Sequence, residues 1–339
     1  MKELFGLRSD GRSAYLYTIT GGGLTAVVSD HGATLIRLYA PDAKGNVEDV
    51  ILGFDKPDDY TASTTYFGAT VGRNANRVGG AKFSLNGVTY KIDANDNEVN
   101  NLHSGFDPYK NRLWEVVSHE TNSIRLHLSS PDGDQGFPGN ADIYVTYKLD
   151  NEGCLCIIYD GLCDQDTVFN MTNHTYFNLA GHKNPQKAMS QILSMPARHF
   201  TACDALSIPT GENRSVEGSP MDFRQPKAIG RDLGEKYDAL ELQGGYDHNF
   251  EVYTNPCATL SDPVSGRTME VYTDCCGIQF YSGNFLMGET GKDGVSYIHR
   301  GGICLETQFY PDAINHPDWA QPITKAGQPY HSETKYKFL

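Results

Sequence analysis

The chain has 339 residues and carries a formal net charge of −14 at pH 7. This charge repels nucleic acid phosphates and anionic lipid, because binding to either relies on clustered Lys and Arg. We therefore expect no nucleic-acid partner and no membrane partner, whereas a small neutral ligand is compatible with the charge.

The composition favours strands over helices. Hydrophobic residues make up 39% of the chain, enough for a sizeable core, and the 20 Tyr, 15 Phe, 35 Gly and 16 Pro suit strands and turns. The start MKELFGLRSDGR is charged where a signal peptide is apolar, and no stretch approaches the roughly 18 apolar residues of a membrane span. We expect a cytoplasmic protein.

Short runs rich in Val, Ile, Tyr, Phe and Thr recur between clusters of Gly, Asp, Asn and Pro, a pattern typical of strands and turns. They predict strands at residues 24–29, 33–39, 82–85, 88–92, 113–119, 123–129, 142–149, 153–160, 268–273, 277–282 and 303–308. Asn86-Gly87 predicts a hairpin. Helical periodicity is limited to single turns at 57–60 and 226–230. No linker or repeat divides the chain, so we expect one all-β domain over residues 1–339.

Sequence patterns of bound cofactors are missing. The glycines at 21–23 lack the other residues of a dinucleotide or phosphate loop, and the GxSxG motif of serine hydrolases does not occur. The eight cysteines form no CxxC pair, and free packing thiols are typical of a long chain without a secretion signal. No Cys/His spacing matches zinc, so we expect neither a cofactor nor a metal.

Polar side chains share one face of the segment NHTYFNL at 173–179. Strand alternation places His174, Tyr176 and Asn178 on one side, with apolar residues and a threonine on the other. Such groups bind hydroxyls while an aromatic ring packs on the C–H surface of a sugar, which favours a carbohydrate pocket. The alternative is a buried histidine whose hydrogen bonds are purely structural.

A carboxylate lies in the apolar strand CLETQ at 304–308. Alternation places Glu306 on the same face as Cys304 and Gln308. Burial would raise the pKa of Glu306 from its ordinary value near 4.3 toward neutrality, where a general base is most effective. A structural ion pair is the alternative interpretation.

Three more segments place polar groups at predicted strand ends: LHSG at 102–105, GRNANRV at 72–78 and GGYDHNF at 244–250. Each has an ordinary structural explanation by itself. His103 is able to cap a turn, Arg77 to form a surface ion pair, and Asp247 to start a turn. Their joint occurrence favours a shared site.

Together, GRNANRV, NNLHSG, NHTYFNL, GGYDHNF, IQFYSGNFL and CLETQFYPDAINHP resemble the aldose 1-epimerase, or galactose mutarotase, family. The resemblance covers nearly the whole chain. It implies a large antiparallel β-supersandwich without a cofactor, in which Glu306 is the general base and His174 the general acid. The sugar-binding residues that it implies are Asn76, Arg77, His103, Asp247 and Gln279, to which we add Tyr176 and Arg73.

The implied reaction interconverts the α and β anomers of free aldohexoses such as galactose and glucose. Glu306 would take the proton of the C1 hydroxyl while His174, as imidazolium, protonates the ring oxygen. A nearby carboxylate is expected to raise the pKa of His174 so that it holds this proton. We expect a monosaccharide as partner and a monomer or homodimer.

Three other functions remain open at this point. A hexose-6-phosphate 1-epimerase would need extra Arg or Lys at the pocket rim. A glycoside hydrolase would need two carboxylates across the scissile bond, for which Glu306 and Asp247 are the available pair. A non-catalytic sugar-binding domain would need neither His174 nor Glu306.

Overall fold

The computed structural model describes residues 1–339. The chain forms mainly β-strands, with two helices of six residues each, α1 (Pro57–Ala62) and α2 (Asp238–Gln243). Neither helix has the length and apolar character needed to cross a bilayer. The first strands are β1 (Lys2–Leu7), β2 (Ser13–Gly21), β3 (Leu24–Ser29), β4 (Thr34–Pro41), β5 (Val47–Asp49), β6 (Ala69–Val71), β7 (Arg77–Val78), β8 (Lys82–Leu85), β9 (Val88–Lys91), β10 (Asn101–Leu102), β11 (Glu115–His119), β12 (Ser123–Ser130), β13 (Ala141–Leu149), β14 (Cys154–Cys163) and β15 (Thr167–Val168).

The second half of the chain continues the pattern with fifteen further strands. They are β16 (Thr172–His174), β17 (Tyr176–Phe177), β18 (Ile192–Ser194), β19 (His199–Cys203), β20 (Pro209–Ser215), β21 (Lys227–Ala228), β22 (Asp247–Glu251), β23 (Ala258–Ser261), β24 (Thr268–Thr273), β25 (Gly277–Tyr281), β26 (Glu289–Thr290), β27 (Ser296–Tyr297), β28 (Ile303–Gln308), β29 (Ile323–Thr324) and β30 (Tyr330–Phe338).

Three large antiparallel sheets make up the fold. The first has five strands in chain order, β1 to β5, and the second has nine in the order β11-β12-β13-β14-β30-β24-β23-β18-β21. The third has six in the order β17-β28-β25-β22-β19-β20. The last long strand, β30, pairs between β14 and β24 at the centre of the nine-stranded sheet. The prediction of an all-β antiparallel supersandwich is confirmed.

The predicted strands match the observed ones closely. Strands β3, β8, β24 and β28 have the predicted ends, and the hairpin turn at Asn86-Gly87 joins β8 to β9. The turn predicted at 57–60 lies within α1, whereas the one predicted at 226–230 is a short strand, β21, followed by a single 3-10 turn. Pairing of β21 with β18 explains this difference, because it extends the backbone there.

One large core joins the three sheets. It contains 53 buried side chains, from Tyr17 on β2 through Ile143 on β13 to Leu305 on β28 and Tyr336 on β30. Side chains on one face of each strand enter this core because successive residues point to opposite sides. In the six-stranded sheet the other face is left for the polar residues described below.

Candidate active site

The register of the six-stranded sheet places polar side chains in two adjacent rows on one face. Tyr176, Cys304, Tyr281 and Asp247 are successive partners across β17, β28, β25 and β22, and Glu306 is the partner of Gln279 in the neighbouring row. Directly paired residues point to the same face of a sheet. The register therefore explains why Tyr176, Asp247, Gln279 and Glu306 meet in one pocket.

The pocket is an open cleft with fifteen lining residues. Eight of the nine predicted site residues line it, Arg73 being the exception: Asn76, Arg77, His103, His174, Tyr176, Asp247, Gln279 and Glu306. They come from separate parts of the chain, which only the folded structure joins.

His174 ends β16, a short strand paired with β6. Its Nε2 lies 3.7 Å from Oε1 of Glu306, and its Nδ1 lies 3.5 Å from Sγ of Cys304. The ring of Tyr176 stacks on the imidazole with centroids 5.1 Å apart and planes inclined by 22°. The imidazole is thus held at both edges and on one face.

Glu306 is nearly inaccessible to solvent, and only 3% of its surface is exposed. Burial raises the pKa of its carboxyl well above the ordinary value, and the negative charge of Asp247 raises it further. No protein donor forms a hydrogen bond with its oxygens, which leaves them free to accept a proton from a ligand. Such an environment suits a carboxylate that accepts and returns a proton.

Burial also lowers the pKa of His174, to about 4. This differs from the expectation that a neighbouring carboxylate raises it. Burial, which disfavours the charged imidazolium, is the dominant effect. When His174 and Glu306 are both neutral, the pair carries the same number of protons as the imidazolium–carboxylate pair. The two states differ only in whether one proton is on Glu306 or on Nε2 of His174, and these groups lie 3.7 Å apart.

The opposite wall offers hydrogen-bonding groups for hydroxyls. Nε2 of Gln279 donates to Oδ1 of Asp247 at 2.7 Å, while Oε1 of Gln279 is buried without a partner. Nε of Arg77 donates to Asp96 at 2.9 Å, which leaves its terminal NH₂ groups without a protein acceptor. A buried acceptor without a partner is costly, so a ligand hydroxyl that donates to Gln279 would be favoured.

His103 has a defined tautomer. The backbone N–H of Asn76 donates to its Nδ1 at 3.2 Å, so the proton of the neutral ring is on Nε2. Burial, together with the repulsion that a charged His103 would meet from protonated His174 and from Arg77, holds the pKa of His103 well below 6.5. His103 therefore presents an N–H donor to the pocket.

Comparison with known proteins agrees with this geometry. The family model described as aldose 1-epimerase matches residues 15–337. The chain belongs to the aldose 1-epimerase family. It is accordingly an isomerase, and the family predicted from the sequence strings is confirmed.

Relatives of the aldose 1-epimerase family are similar over almost their full length. A galactose mutarotase of Bos taurus is 40% identical over 314 residues, which cover 91% of this chain and 89% of that protein. An aldose 1-epimerase of Haemophilus influenzae is 37% identical and covers 97% of both. The solved structure of an aldose epimerase homologue from C. elegans superposes with a TM-score of 0.88 at 30% identity, covering 96% of this chain and 99% of that one.

Two residues of this aldose 1-epimerase family member lie elsewhere than predicted. Arg73 does not reach the pocket: it is fully buried and donates to neutral oxygens of the 130–139 loop and of Thr167. Asn178 lies beyond the end of β17, where it donates to the carbonyl of Asn184 and accepts from Gln191. Alternation failed for Asn178 because the extended run ends at Phe177.

The pocket also contains residues that sequence reasoning missed. They are Thr64, Thr65, Tyr66, Leu102, Tyr281, Phe285 and Leu286. Tyr66 is central among them, because its ring lies 4.7 Å from the ring of His103 and 5.9 Å from that of His174. Tyr281 and Phe285 belong to the segment IQFYSGNFL, which contributes to the resemblance to the aldose 1-epimerase family, so the sequence pointed to their neighbourhood. Tyr66 lies in none of the segments that carry the resemblance.

Three lining residues adopt the left-handed backbone conformation that non-glycine residues rarely take. The φ values are 58° at Tyr66, 60° at Asn76 and 51° at His103. Such conformations cost about 1–3 kcal/mol each and are often found at functional sites. Their concentration here indicates that the surrounding fold holds this pocket wall in place.

The pocket contains one set of potential metal ligands. His174, Cys304 and Glu306 bring a nitrogen, a sulfur and an oxygen within 4.8 Å of one another. Ligands of a tetrahedral zinc ion lie roughly 3.5 Å apart, given bond lengths of about 2.0–2.3 Å. Metal binding would therefore need these side chains to move together, and their present arrangement suits proton transfer.

Proposed function

We propose that the protein interconverts the α and β anomers of free aldohexoses, galactose and glucose among them, with Glu306 as general base and His174 as general acid. The observation that carries this proposal is the 3.7 Å separation of His174 Nε2 and Glu306 Oε1 at the pocket floor. The two oxygens that exchange protons in a hemiacetal are bonded to the same carbon. Two groups this close are therefore able to contact both oxygens at once.

Ring opening follows from the imidazolium–carboxylate form of the pair. Glu306 takes the proton of the C1 hydroxyl, the C1–O bond becomes a carbonyl, the C1–O5 bond breaks, and His174 gives its Nε2 proton to O5. Rotation about C1–C2 presents the other face of the aldehyde. Closure reverses the transfers and leaves the enzyme unchanged.

Burial favours the neutral pair, which is the state of His174 and Glu306 when the sugar is open. Substrate binding supplies the opposite bias. A C1 hydroxyl that donates to Glu306 stabilises the carboxylate, and a ring oxygen that accepts from His174 stabilises the imidazolium. A small free-energy difference between the neutral pair and the imidazolium–carboxylate pair suits a reaction that must run in both directions.

The other predicted residues would orient the ring. Arg77 and His103 offer N–H donors, Asp247 offers a carboxylate, and Gln279 offers its free amide oxygen. Asn76 fixes the wall that carries them, because its backbone and side chain contact His103 and Arg77. The ring of Tyr176 stacks on one face of the His174 imidazole and so orients it.

The test follows the optical rotation of freshly dissolved α-D-galactose and α-D-glucose. Wild-type protein should speed the approach to anomeric equilibrium, and Glu306→Gln and His174→Asn should each lower kcat by about 10²–10⁴. The matched controls Glu333→Gln and His331→Asn, whose side chains on β30 do not line the pocket, should keep full activity. Activity of the two pocket variants would refute the acid–base assignment.

The same assay separates the alternative substrates. Arg77 is the one Arg or Lys side chain that lines the pocket, and Asp247 and Glu306 also line it. The negative charge of a phosphate group would therefore meet few cationic partners. We expect glucose 6-phosphate to be a poorer substrate than glucose. A clear preference for the phosphate would overturn the free-sugar assignment, and sugar binding without acceleration would leave a binding protein.

We further propose that residues 1–339 act as one domain, as a monomer or homodimer, in the cytoplasm. The core that runs from Tyr17 to Tyr336 supports a single domain, and eight free thiols suit a reducing compartment. Light scattering after gel filtration measures the oligomeric state, and cell fractionation the location. Two stable proteolytic fragments would contradict the single domain.

A further inference from the structure

The second nitrogen of His174 faces a thiol. Sγ of Cys304 lies 3.5 Å from Nδ1, and Cys304 has no solvent exposure. Catalytic histidines are commonly oriented at this position by a carboxylate or a backbone carbonyl, both of which only accept hydrogen bonds. Here the acceptor is instead the sulfur of a neutral thiol.

The strand architecture places this thiol. Cys304 and Glu306 are two residues apart on β28 and so point to the same face. Tyr176 is the register partner of Cys304, which brings its ring against His174. A single strand therefore supplies one group to each edge of the imidazole, Glu306 to Nε2 and Cys304 to Nδ1.

We propose that Cys304 is a positioning residue that serves both protonation states of His174. When His174 is imidazolium, its Nδ1–H donates to Sγ of Cys304. When Nε2 has given its proton to the ring oxygen, the neutral imidazole keeps its other proton on Nδ1, which still donates to Sγ. The imidazole therefore keeps the same orientation during ring opening and closure, and Nε2 is left free to take the proton back.

A thiol suits this role better than a carboxylate would. Burial and the nearby charges of Glu306 and Asp247 raise the pKa of Cys304 well above 9, so the thiol stays neutral. A carboxylate at this place would stabilise the imidazolium and weaken it as an acid. A neutral partner orients His174 without favouring either of its states strongly. The inference rests on His174 being the general acid, as proposed above.

Three Cys304 variants test the proposal against a control in the same assay. Cys304→Ala should lower kcat about tenfold with little change in KM, the loss that one neutral hydrogen bond accounts for. Cys304→Ser should recover most of the lost kcat, since a hydroxyl oxygen is also a neutral acceptor for the Nδ1–H of His174. Cys304→Val, which fills the space without a polar group, should resemble Cys304→Ala. The control Cys257→Ala removes a buried thiol in the core and should keep normal kcat.

The pH profile gives a readout that packing alone would not change. Groups that face His174 from the surrounding strands and loops are Tyr66, His103, Tyr176, Tyr281, Cys304 and Glu306. Loss of the thiol removes the acceptor of the imidazolium Nδ1–H. The alkaline limb of kcat should therefore move to lower pH in Cys304→Ala and stay near its wild-type position in Cys304→Ser.

Two results would overturn the role of Cys304. One is a wild-type kcat and pH profile in Cys304→Ala or, if that variant does not fold, in Cys304→Val. The other is a loss in Cys304→Ser as large as that in Cys304→Val, which would assign Cys304 to packing. His174→Asn, measured beside them, separates the hypotheses. An active His174→Asn refutes the general acid itself, whereas with an inactive His174→Asn the Cys304 variants alone decide the role of the thiol.

Discussion

Arg73 and Arg77 stand four residues apart in the segment GRNANRV and have different roles. Arg73 is fully buried, and its guanidinium donates to the oxygens of Ser130, Pro138 and Gly139. Arg77 is partly exposed and lines the pocket beside Asp247. At the residue scale, burial and hydrogen-bond partners decide whether an arginine holds a loop or lines the pocket.

Arg73→Met should destabilise the fold by about 3 kcal/mol or more, because it leaves several buried acceptors without a donor. KM for galactose should stay near its wild-type value, since Arg73 does not line the pocket. Urea denaturation measures the first effect and the rotation assay the second. The control Arg231→Met, at an exposed ion pair, should cost less than about 1 kcal/mol. A raised KM with unchanged stability would show that Arg73 acts in substrate binding and not in holding the fold.

At the element scale, the pocket wall at 64–66 depends on a lysine from another element. Nζ of Lys110, in the 3-10 turn Tyr109–Asn111, donates to the carbonyls of Tyr60 and Ser63 at 2.8 and 2.9 Å. These carbonyls lie at the end of α1, where helical acceptors have no partner within the helix. A six-residue helix is too short to be stable alone, so this contact holds both α1 and the wall that follows it.

Lys110→Met should therefore raise KM for galactose several-fold, because Thr64, Thr65 and Tyr66 lose their anchor, and should lower kcat less. Kinetics by optical rotation measure both constants. Lys82→Met, at an exposed lysine of β8, is the matched control and should leave KM unchanged. An unchanged KM in folded Lys110→Met would show that the wall is held by its other contacts.

At the scale of the whole molecule, the fold buries several histidines in the neutral form. Burial lowers the pKa of His31 and His248 to about 3 and that of His174 and His182 to about 4. Nη1 of Arg8 lies 2.6 Å from Nδ1 of His31, and a guanidinium only donates, so this ring must be neutral. Unfolding would release these rings to protonate near their ordinary pKa.

Mildly acidic pH should therefore lower the free energy of unfolding. Because the folded pKa values lie below the ordinary 6.5, the unfolded chain binds protons first, and stability present above pH 6.5 is lost as the pH falls toward 4. At pH 5 each such ring costs about 2 kcal/mol, a large share of a typical stability of about 5–15 kcal/mol. The raised pKa of Glu306 and of Asp247 offsets part of this loss.

Urea denaturation at pH 7.5, 6.5, 5.5 and 5.0 measures this dependence. The free energy of unfolding should fall by several kcal/mol over that range, with most of the fall below pH 6.5. His31→Asn should flatten the curve, whereas the exposed control His331→Asn should not. Equal stability at pH 7.5 and 5.0 would contradict neutral burial of these rings.

Local patterns predicted eleven of the thirty strands. Alternation and turn residues located β12, β13 and β24, among others, because an apolar stripe with period two is present in consecutive residues. They did not predict β22, whose sequence DHNFE is polar, or β30 at the end of the chain. Both become strands through pairing with distant neighbours, which no short window of sequence contains.

The sequence by itself determined the fold class, the family, and which face of β28 carries Cys304 and Glu306, since these depend on residue order and on the period of a strand. Only the tertiary structure decided that Tyr66 packs against His103, that Arg73 is buried, and that Sγ of Cys304 meets Nδ1 of His174. Those contacts join segments far apart in the chain. Strand register and burial, which set them, are properties of the assembled sheets.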